Sequence, residues 1–278
     1  SSEAGRGGAD IMALGFLGAG NMGEAMIRGL LSAKLRSPEQ VVVYDAAPGR
    51  GEDLRRRFGI VAARSVGDLL RACDMVVVAV KPQVLSSVLS GISRDEARGK
   101  TFVSIVAGAK IALFEKALGE GAKVVRTMPN TPAQVGMGST GIYFPPVVDA
   151  ATRQEVLALF SSFGTVAEMP REELLDAVTA LSGSGPAFAF LFLEALADGA
   201  VRAGMGRAEA SLLAASTLEG AARMVRETGR HPAELKDMVM SPGGTTAAGV
   251  AALERGAFRA TVMDAVLSAW QRCRELSN

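Results

Sequence analysis

The stretch Gly15–Gly23 reads GFLGAGNMG and joins a short apolar run, Ala13–Leu17, to a segment of helical spacing, Asn21–Ala33. Its glycines follow the pattern G-x-G-x-x-G, at Gly18, Gly20 and Gly23. Between a strand and a helix, the first glycine permits a tight turn and the second lets the backbone approach a pyrophosphate. The third lets the helix pack closely on the strand. This setting predicts a dinucleotide-binding loop rather than a glycine-rich turn without a ligand.

Further apolar runs follow this loop, and they are rich in β-branched residues without polar alternation: Val41–Asp45, Met75–Val80, Thr101–Val106 and Lys123–Met128. Continuous runs of this kind are typical of strands buried on both faces of a sheet. Segments of helical spacing lie between the runs. The alternation predicts an α/β domain of the Rossmann type, with a parallel sheet and right-handed crossovers.

The pattern changes after about residue 164, where long Ala-rich segments of helical spacing replace the strand runs. They are Pro186–Met205, Arg207–Thr228 and Gly256–Leu276. We expect three parts: residues 1–11 as a flexible extension or remnant of expression, residues 12–170 as the dinucleotide-binding domain, and residues 171–278 as an all-α domain. Small residues on the helical faces would let these helices pack on each other or on a second subunit.

Composition and charge narrow the class of protein. The chain has 278 residues and a net charge of +1 at pH 7, so it offers no basic surface for nucleic acid. The most apolar helix, Phe188–Leu196, is interrupted by Glu194 and followed by Asp198, which argues against a membrane span. Cys73 and Cys273 form no CxxC pair, which indicates a reducing compartment. We expect a cytoplasmic protein without nucleic-acid or membrane partners.

Acidic and basic residues after the second run bear on the cofactor. Asp45 ends that run, where an acid accepts hydrogen bonds from ribose hydroxyls and repels a 2′-phosphate, which favours NADH. Arg50 and Arg55–Arg57 follow, and a guanidinium group there could hold the 2′-phosphate of NADPH. The alternative is that these arginines are solvated.

A second loop interrupts the helical half at residues 240–249, MSPGGTTAAG. Pro242 and the two glycines end one helix, and Thr245 or Thr246 can cap the next. Free backbone N–H groups and two hydroxyls at a helix N-terminus would bind an anion. A capped turn between helices, without a ligand, is the alternative.

Four segments together resemble the pyrroline-5-carboxylate reductase family: GFLGAGNMG, and the segments Val124–Tyr143 with MPNTP, Asp176–Phe190 with LSGSGPA, and His231–Val266 with SPGGTT. The resemblance covers nearly the whole chain from about Ala13 to Leu276. It implies NAD(P)H-dependent reduction of 1-pyrroline-5-carboxylate to L-proline. It also implies a helical domain like the C-terminal domain of 6-phosphogluconate dehydrogenase. In the family that this chain resembles, the helical domain binds substrate and interlocks two subunits into a homodimer, and the dimers often assemble into decameric rings.

The resemblance also implies site residues. The motif and the family positions together give these candidates for cofactor binding: Leu17, Gly18, Ala19, Gly20, Asn21, Met22, Gly23, Asp45, Val80, Lys81 and Ala107. The family's substrate-binding positions fall on Glu172, Ser241, Gly243, Gly244, Thr245 and Thr246. Thr246 matches the position that holds the ring nitrogen, and it is the candidate catalytic residue.

Three departures from the family leave the choice between NADH and NADPH open. Asp45-Ala46-Ala47-Pro48 stands where many members carry Ser or Thr for the 2′-phosphate, and Val66 and Met238 stand where members carry Asn. We expect no metal site, and the only histidine, His231, fits a helix start or a surface position better than a catalytic role.

Two other functions remain open from the residues. A 6-phosphogluconate-type or β-hydroxyacid dehydrogenase would carry a catalytic lysine within the helical domain, whereas Lys236, the only lysine after Lys123, precedes the second loop. A non-catalytic NAD(P)-binding regulator could keep the glycine motif but lose SPGGTT.

Overall fold

A computed structural model describes residues 13–277, so the predicted extension at residues 1–11 lies outside the described residues. The chain divides into two compact units. The first runs to Gly183 and resumes at Trp270, and the second is Ser184–Ala269. The predicted domain division at residues 170 and 171 differs from this division of compact units and stays a prediction.

An eight-stranded sheet forms the first unit, in the order β3-β2-β1-β4-β5-β6-β7-β8. The strands are β1 (Ala13–Leu17), β2 (Val41–Tyr44), β3 (Val61–Ala62), β4 (Cys73–Val78), β5 (Thr101–Ser104), β6 (Lys123–Met128), β7 (Gly138–Tyr143) and β8 (Gly164–Glu168). Strands β1 to β6 pair in parallel, and β7 runs antiparallel to β6. The strand order reverses at β1, where ligands bind in open sheets of this kind.

The predicted α/β domain followed by helices is confirmed, and the predicted strand runs pair in parallel. Strand β7, which runs antiparallel to β6, lies outside those runs. The predicted runs Ala13–Leu17 and Lys123–Met128 match β1 and β6 residue for residue. Strands β3, β7 and β8 were not predicted. Strand β3 has two residues, β7 (GSTGIY) has two glycines and no continuous apolar run, and most of β8 is exposed at the sheet edge.

Apolar side chains fill both faces of the sheet. Val41 and Val43 belong to one buried cluster, and Val42 between them belongs to the other, as the alternation along a strand requires. The helices of this unit are α1 (Asn21–Ser32), α2 (Arg50–Phe58), α3 (Val66–Ala72), α4 (Pro82–Ser90), α5 (Arg94–Ala97), α6 (Ile111–Leu118), α7 (Ala150–Ser161) and α8 (Leu174–Val178). Helices α1 and α7 cover the first cluster, and α3, α4 and α6 cover the second. This core fixes the strand ends that carry the glycine loop.

The second unit is helical. It contains α9 (Gly185–Arg202), α10 (Arg207–Thr228), α11 (Pro232–Val239), α12 (Thr245–Arg255) and the start of α13 (Phe258–Leu276). The segment Ser182–Phe188 (SGSGPAF) predicts a tight turn with serine caps that leads into a helix at Pro186. The helix start is confirmed, whereas the tight turn and the serine cap are wrong. The chain passes from α8 through a π-helical turn, Thr179–Gly183, into α9, and Ser184 makes no capping hydrogen bond. Pro186 fits because the first turn of a helix needs no N–H donor at that point.

The helical run Leu174–Arg202 is long and apolar enough to cross a membrane, with a mean hydropathy of 1.4 over 18 residues. Glu194 and Asp198, which argued against a span in the sequence, do not lower the mean hydropathy enough to exclude one by length and composition alone. One such helix is weak evidence for a membrane span, since helices of other proteins pass the same test. Only 11% of the window is buried within the chain.

Candidate functional site

The glycine loop after β1 has the backbone that its motif predicts. Gly18 has φ of +89°, and a Cβ there would lie 2.7 Å from the carbonyl oxygen of Ala79. Gly20 is exposed, and a Cβ there would meet no atom within 4 Å. Gly23 faces the carbonyl oxygen of Gly18, at 3.4 Å from its own would-be Cβ. The loop is thus held at its two ends and open at Gly20, where α1 begins.

Backbone hydrogen bonds bring the ends of neighbouring strands together. The Gly18 N–H donates to the Tyr44 carbonyl at 2.8 Å, and the Ala79 N–H donates to the Leu17 carbonyl at 2.8 Å. The Ile105 N–H donates to the Val78 carbonyl at 3.1 Å, which adds the end of β5. The predicted cofactor residues therefore lie at, or within three residues after, the carboxyl ends of β1, β2, β4 and β5, except for those that continue into α1: Leu17–Gly23, Asp45, Val80, Lys81 and Ala107. Their binding roles stay predictions.

Asp45 is bound to the glycine loop itself. Its Oδ2 accepts the Ala19 N–H at 2.8 Å, and its Oδ1 accepts the Ala47 N–H at 2.8 Å. The carboxylate thereby fixes the loop after β1 to the loop after β2. Each oxygen keeps a further lone pair that can accept another hydrogen bond.

Glu24, in the first turn of α1, supports the same loop and was missed by the sequence reasoning. It forms ion pairs with Arg57 and with Arg50, the latter at 2.7 Å, and Arg50 Nε also donates to the Ala19 carbonyl at 2.7 Å. The hydrogen bond from Arg57 is the largest cause that lowers the pKa of Glu24 to about 2. Arg50 is therefore engaged by protein groups rather than free for a phosphate.

A cavity of about 570 Å³ opens beside the end of β2, and we call it the β2 cavity. It is lined by Tyr44, Asp45, Ala46, Ala47, Pro48, Gly49, Gly51, Glu52, Arg55, Ala62, Ala63 and Arg64. It adjoins the strand end where an adenosine ribose is expected, because Asp45 is the acid that the dinucleotide motif places there.

Glu172 lies in the first unit and is held by structural partners. Its Oε1 accepts the Ile111 N–H at 2.7 Å and pairs with Arg126 Nη1 at 3.2 Å. Arg126 is 4% exposed and also lies 3.8 Å from Asp176. The predicted substrate contact of Glu172 stays a prediction, and these contacts explain the residue without a substrate.

The second loop, residues 241–246, lies in the second unit. Gly243 has φ of +67°, and the Gly244 N–H donates to the Ser241 carbonyl at 3.0 Å. The expectation that Thr245 or Thr246 caps α12 is wrong. Gly244 is the N-cap, and as a glycine it has no side chain that could accept a hydrogen bond from the helix. A Cβ at this position would collide with Ser241 Oγ. The first N–H groups of α12, starting at Thr245, are left without intrahelical acceptors.

Other candidate groups for catalysis are already used or protonated. The expectation for His231 is confirmed: it is the N-cap of α11, and its Nδ1 accepts the Ala233 N–H at 3.1 Å. Burial raises the pKa of the Cys73 thiol to about 11 and raises the pKa of Cys273 as well. Within residues 13–277, no three His, Cys, Asp or Glu side chains are grouped closely enough to hold a metal ion.

Comparison with known proteins gives a consistent result along the chain. Residues 172–276 match the family described as pyrroline-5-carboxylate reductase dimerisation, and residues 13–108 match the family described as NADP oxidoreductase, coenzyme F420-dependent. Pyrroline-5-carboxylate reductase of Methanosarcina acetivorans is 45% identical over 95% of this chain and 97% of its own.

Two solved structures are similar over their full length. Pyrroline-5-carboxylate reductase of Coxiella burnetii has a TM-score of 0.91 at 32% identity and covers 97% of this chain and 100% of its own. The Plasmodium falciparum pyrroline carboxylate reductase, with NADP bound, has a TM-score of 0.86 at 34% identity and covers 98% and 100%. With these matches, an open dinucleotide loop on the sheet and the dimerisation segment in the helices, the chain belongs to the pyrroline-5-carboxylate reductase family.

Proposed function

We propose that this chain reduces the cyclic imine 1-pyrroline-5-carboxylate to L-proline, with NADH or NADPH as the donor, in the last step of proline biosynthesis. The observation that carries the proposal is the open glycine loop at β1, where the strand order of the sheet reverses. It occurs in a chain that matches a pyrroline-5-carboxylate reductase over 95% of its length. The bound cofactor supplies a hydride, which adds to the imine carbon.

The first unit fits such a cofactor. A Cβ at Gly20 would fill open space beside the start of α1, which is where a pyrophosphate can approach backbone N–H groups and the positive end of the helix dipole. Lys81 and Ala107 are exposed at the ends of β4 and β5, at the same edge. We assign the cofactor to Leu17–Gly23, Asp45, Val80, Lys81 and Ala107.

The second unit supplies the groups for the substrate. Gly243 and Gly244 let the backbone bend into α12, and the N–H groups from Thr245 onward can hydrogen-bond a carboxylate, whereas the Gly244 N–H is already bound to the Ser241 carbonyl. The helix dipole favours a negative charge there. Thr246 Oγ1 accepts the N–H of the protonated imine and fixes its orientation. Ser241, beneath Gly244, sets the loop shape.

Catalysis on this proposal is by proximity and orientation. A protonated imine is already electrophilic, so no strong general acid is required. This agrees with a site in which His231 caps a helix and both cysteine thiols stay protonated at neutral pH.

One assay tests the reaction and the donor together. Purified protein is mixed with 1-pyrroline-5-carboxylate and either NADH or NADPH, and the loss of absorbance of the reduced nicotinamide is followed while proline is quantified. Cofactor binding without turnover would favour the non-catalytic regulator. Oxidation of a β-hydroxyacid in place of imine reduction would favour the related dehydrogenase.

The same proposal includes homodimers formed through the helical unit, in the cytoplasm. Its exposed apolar side chains, among them Phe190, Leu191, Leu212 and Leu213, lie within the matched dimerisation segment. A second copy would cover them, which also accounts for the apolar run Leu174–Arg202 without a membrane. Assembly of dimers into decamers stays a prediction that sedimentation tests.

A further inference from the structure

Arg64 is a charged group in the β2 cavity that the proposed function has not used. Strand β3 places it there: Ala62 pairs with Val43, and the Ala63 N–H donates to the Val43 carbonyl at 2.8 Å. Arg64 therefore follows β3 beside the point where Asp45 follows β2, and both residues line the cavity. Within residues 13–277, the Arg64 guanidinium has no hydrogen bond and no ion pair within 4 Å. Asp68 is the acid close enough to feel its charge: the hydrogen bond from Arg71 is the main cause that lowers the pKa of Asp68, and Arg64 adds a smaller electrostatic contribution.

The neighbouring arginines are engaged elsewhere. Arg50 holds the Ala19 carbonyl and Glu24, and Arg57 holds Glu24 and Asp53. Arg55 also lines the cavity, but two hydrogen bonds, of 2.6 and 2.9 Å, tie its guanidinium to Glu52. Arg64 is thus the cavity guanidinium with its donors free.

Asp45 contributes a negative charge to the β2 cavity, opposite in sign to the charge of Arg64. Its two oxygens already accept backbone N–H groups, and the lone pairs that remain can accept a ribose hydroxyl. A phosphate in the same place would be repelled by this carboxylate unless a cation compensates. A guanidinium group suits that task because its planar fork can bind two phosphate oxygens at once.

On the basis of the proposed function, we propose that Arg64 binds the 2′-phosphate of NADPH, while Asp45 accepts the 2′-hydroxyl of NADH. Arg64 is then the residue that allows the chain to use NADPH despite an acid at the end of β2. The Ser or Thr of many family members is replaced by a cation that reaches the same cavity from the neighbouring strand.

Binding of nucleotide fragments tests this role without turnover, so it is independent of imine reduction. The probes are 2′,5′-ADP, which carries the 2′-phosphate, and 5′-AMP, which lacks it, measured by calorimetry. The variants are Arg64→Met and the control Arg56→Met, which removes the same charge from an exposed position of α2 that does not line the cavity. Arg64→Met is expected to weaken 2′,5′-ADP binding by about tenfold or more and to leave 5′-AMP within about twofold.

Three outcomes would overturn the proposal. In the first, Arg64→Met binds 2′,5′-ADP as tightly as the unchanged chain. In the second, both fragments weaken equally, which indicates a general effect on the adenosine site. In the third, Arg56→Met matches Arg64→Met, which indicates long-range charge alone.

Arg64→Lys should recover part of the loss, because it restores the charge but not the planar fork of the guanidinium group. With the full cofactors, Arg64→Met should raise KM for NADPH and leave kcat unchanged.

Discussion

The two compact units differ in how they bury apolar side chains. The first has buried clusters on both faces of its sheet, with residues such as Phe16 and Phe102 fully enclosed. In Ser184–Ala269, by contrast, the buried residues that the structure describes are Ala197, Ala210 and Leu235. The first unit carries its own core, whereas the second exposes the side chains that should form one. In the proposed homodimer, a second copy of the chain covers these side chains and stabilises the helical unit.

The largest expected effect comes from disrupting the proposed dimer interface of the helical unit. Leu191, 68% exposed in the single chain, is replaced by Glu, and Val84, an exposed apolar residue of the first unit, is replaced by Glu as the control. An unpaired charge at a buried dimer interface should cost about 4 kcal/mol or more per dimer, because it is desolvated in both copies. Sedimentation and urea unfolding should show monomers and a weakened helical unit for Leu191→Glu alone. A stable dimer from this variant would contradict the interface.

Arg126→Leu tests the internal packing of the first unit. Arg126 is buried with Glu172 and Asp176, so its removal leaves two carboxylates without their cation. We expect a loss of about 3–5 kcal/mol in the free energy of unfolding. Arg98→Leu, which breaks an exposed pair with Asp95, should cost less than about 1 kcal/mol. Equal effects in the two variants would mean that the buried cluster is no more important than a surface pair.

Thr246→Ala tests the role of the second unit in chemistry. Removing the hydroxyl should cost about 1.5–3 kcal/mol of transition-state stabilisation, the range for a hydrogen bond to a charged group. The measurement is kcat/KM for 1-pyrroline-5-carboxylate. Thr245→Ala should have a smaller effect, because its proposed contact is through the main chain. An unchanged kcat/KM for Thr246→Ala would remove the assigned role.

Two glycines of the first unit separate folding from binding. Gly18→Ala should lower stability by about 1–3 kcal/mol, because φ of +89° is strained for alanine and its Cβ would lie 2.7 Å from the Ala79 carbonyl oxygen. Gly20→Ala should change stability by less than about 0.5 kcal/mol and weaken NAD(P)H binding instead, since its Cβ would enter open space. Thermal unfolding and cofactor titration distinguish the two. Tight cofactor binding by Gly20→Ala would argue against the pyrophosphate position.

The sequence alone predicted those strands that are marked by their own composition, but not those that are defined by pairing with other strands. Strand β1 (ALGFL) is a continuous apolar run, and β6 (KVVRTM) is rich in β-branched residues although it contains Lys123 and Arg126. Both were predicted residue for residue, whereas β7 and β8 are positioned by pairing with neighbouring strands and were not predicted. The helix start expected at Pro186 is confirmed, but the tight turn expected before it is wrong, because the chain stays helical through Thr179–Gly183 despite its glycines.

Some features of the candidate site could likewise be predicted from the sequence, and others could not. The glycine loop could be predicted from its motif, since each glycine there answers a backbone requirement. The hydrogen bonds that Arg50 donates to the Ala19 carbonyl and to Glu24 could not be predicted, because they join residues of different elements that no sequence spacing relates. Asp45 was predicted as a ribose ligand, but its bonds to the Ala19 and Ala47 N–H groups became visible only in the fold.

The smallest expected effect concerns Glu24, which supports the glycine loop through its ion pair with Arg50. Its pKa in the folded chain is about 2, against an ordinary value of 4.5, so its ionised form stabilises the fold. This contribution is complete above the ordinary pKa, and it is lost as the pH falls from about 4.5 to about 2. Urea unfolding of the unchanged chain and of Glu24→Gln should therefore differ by about 1–2 kcal/mol at pH of about 6, and by less at pH of about 3. Asp149, whose pKa is also lowered to about 2, titrates in both proteins and cancels in this difference. A difference that stays constant over this pH range would show that the ion pairs with Arg57 and Arg50 do not stabilise the loop.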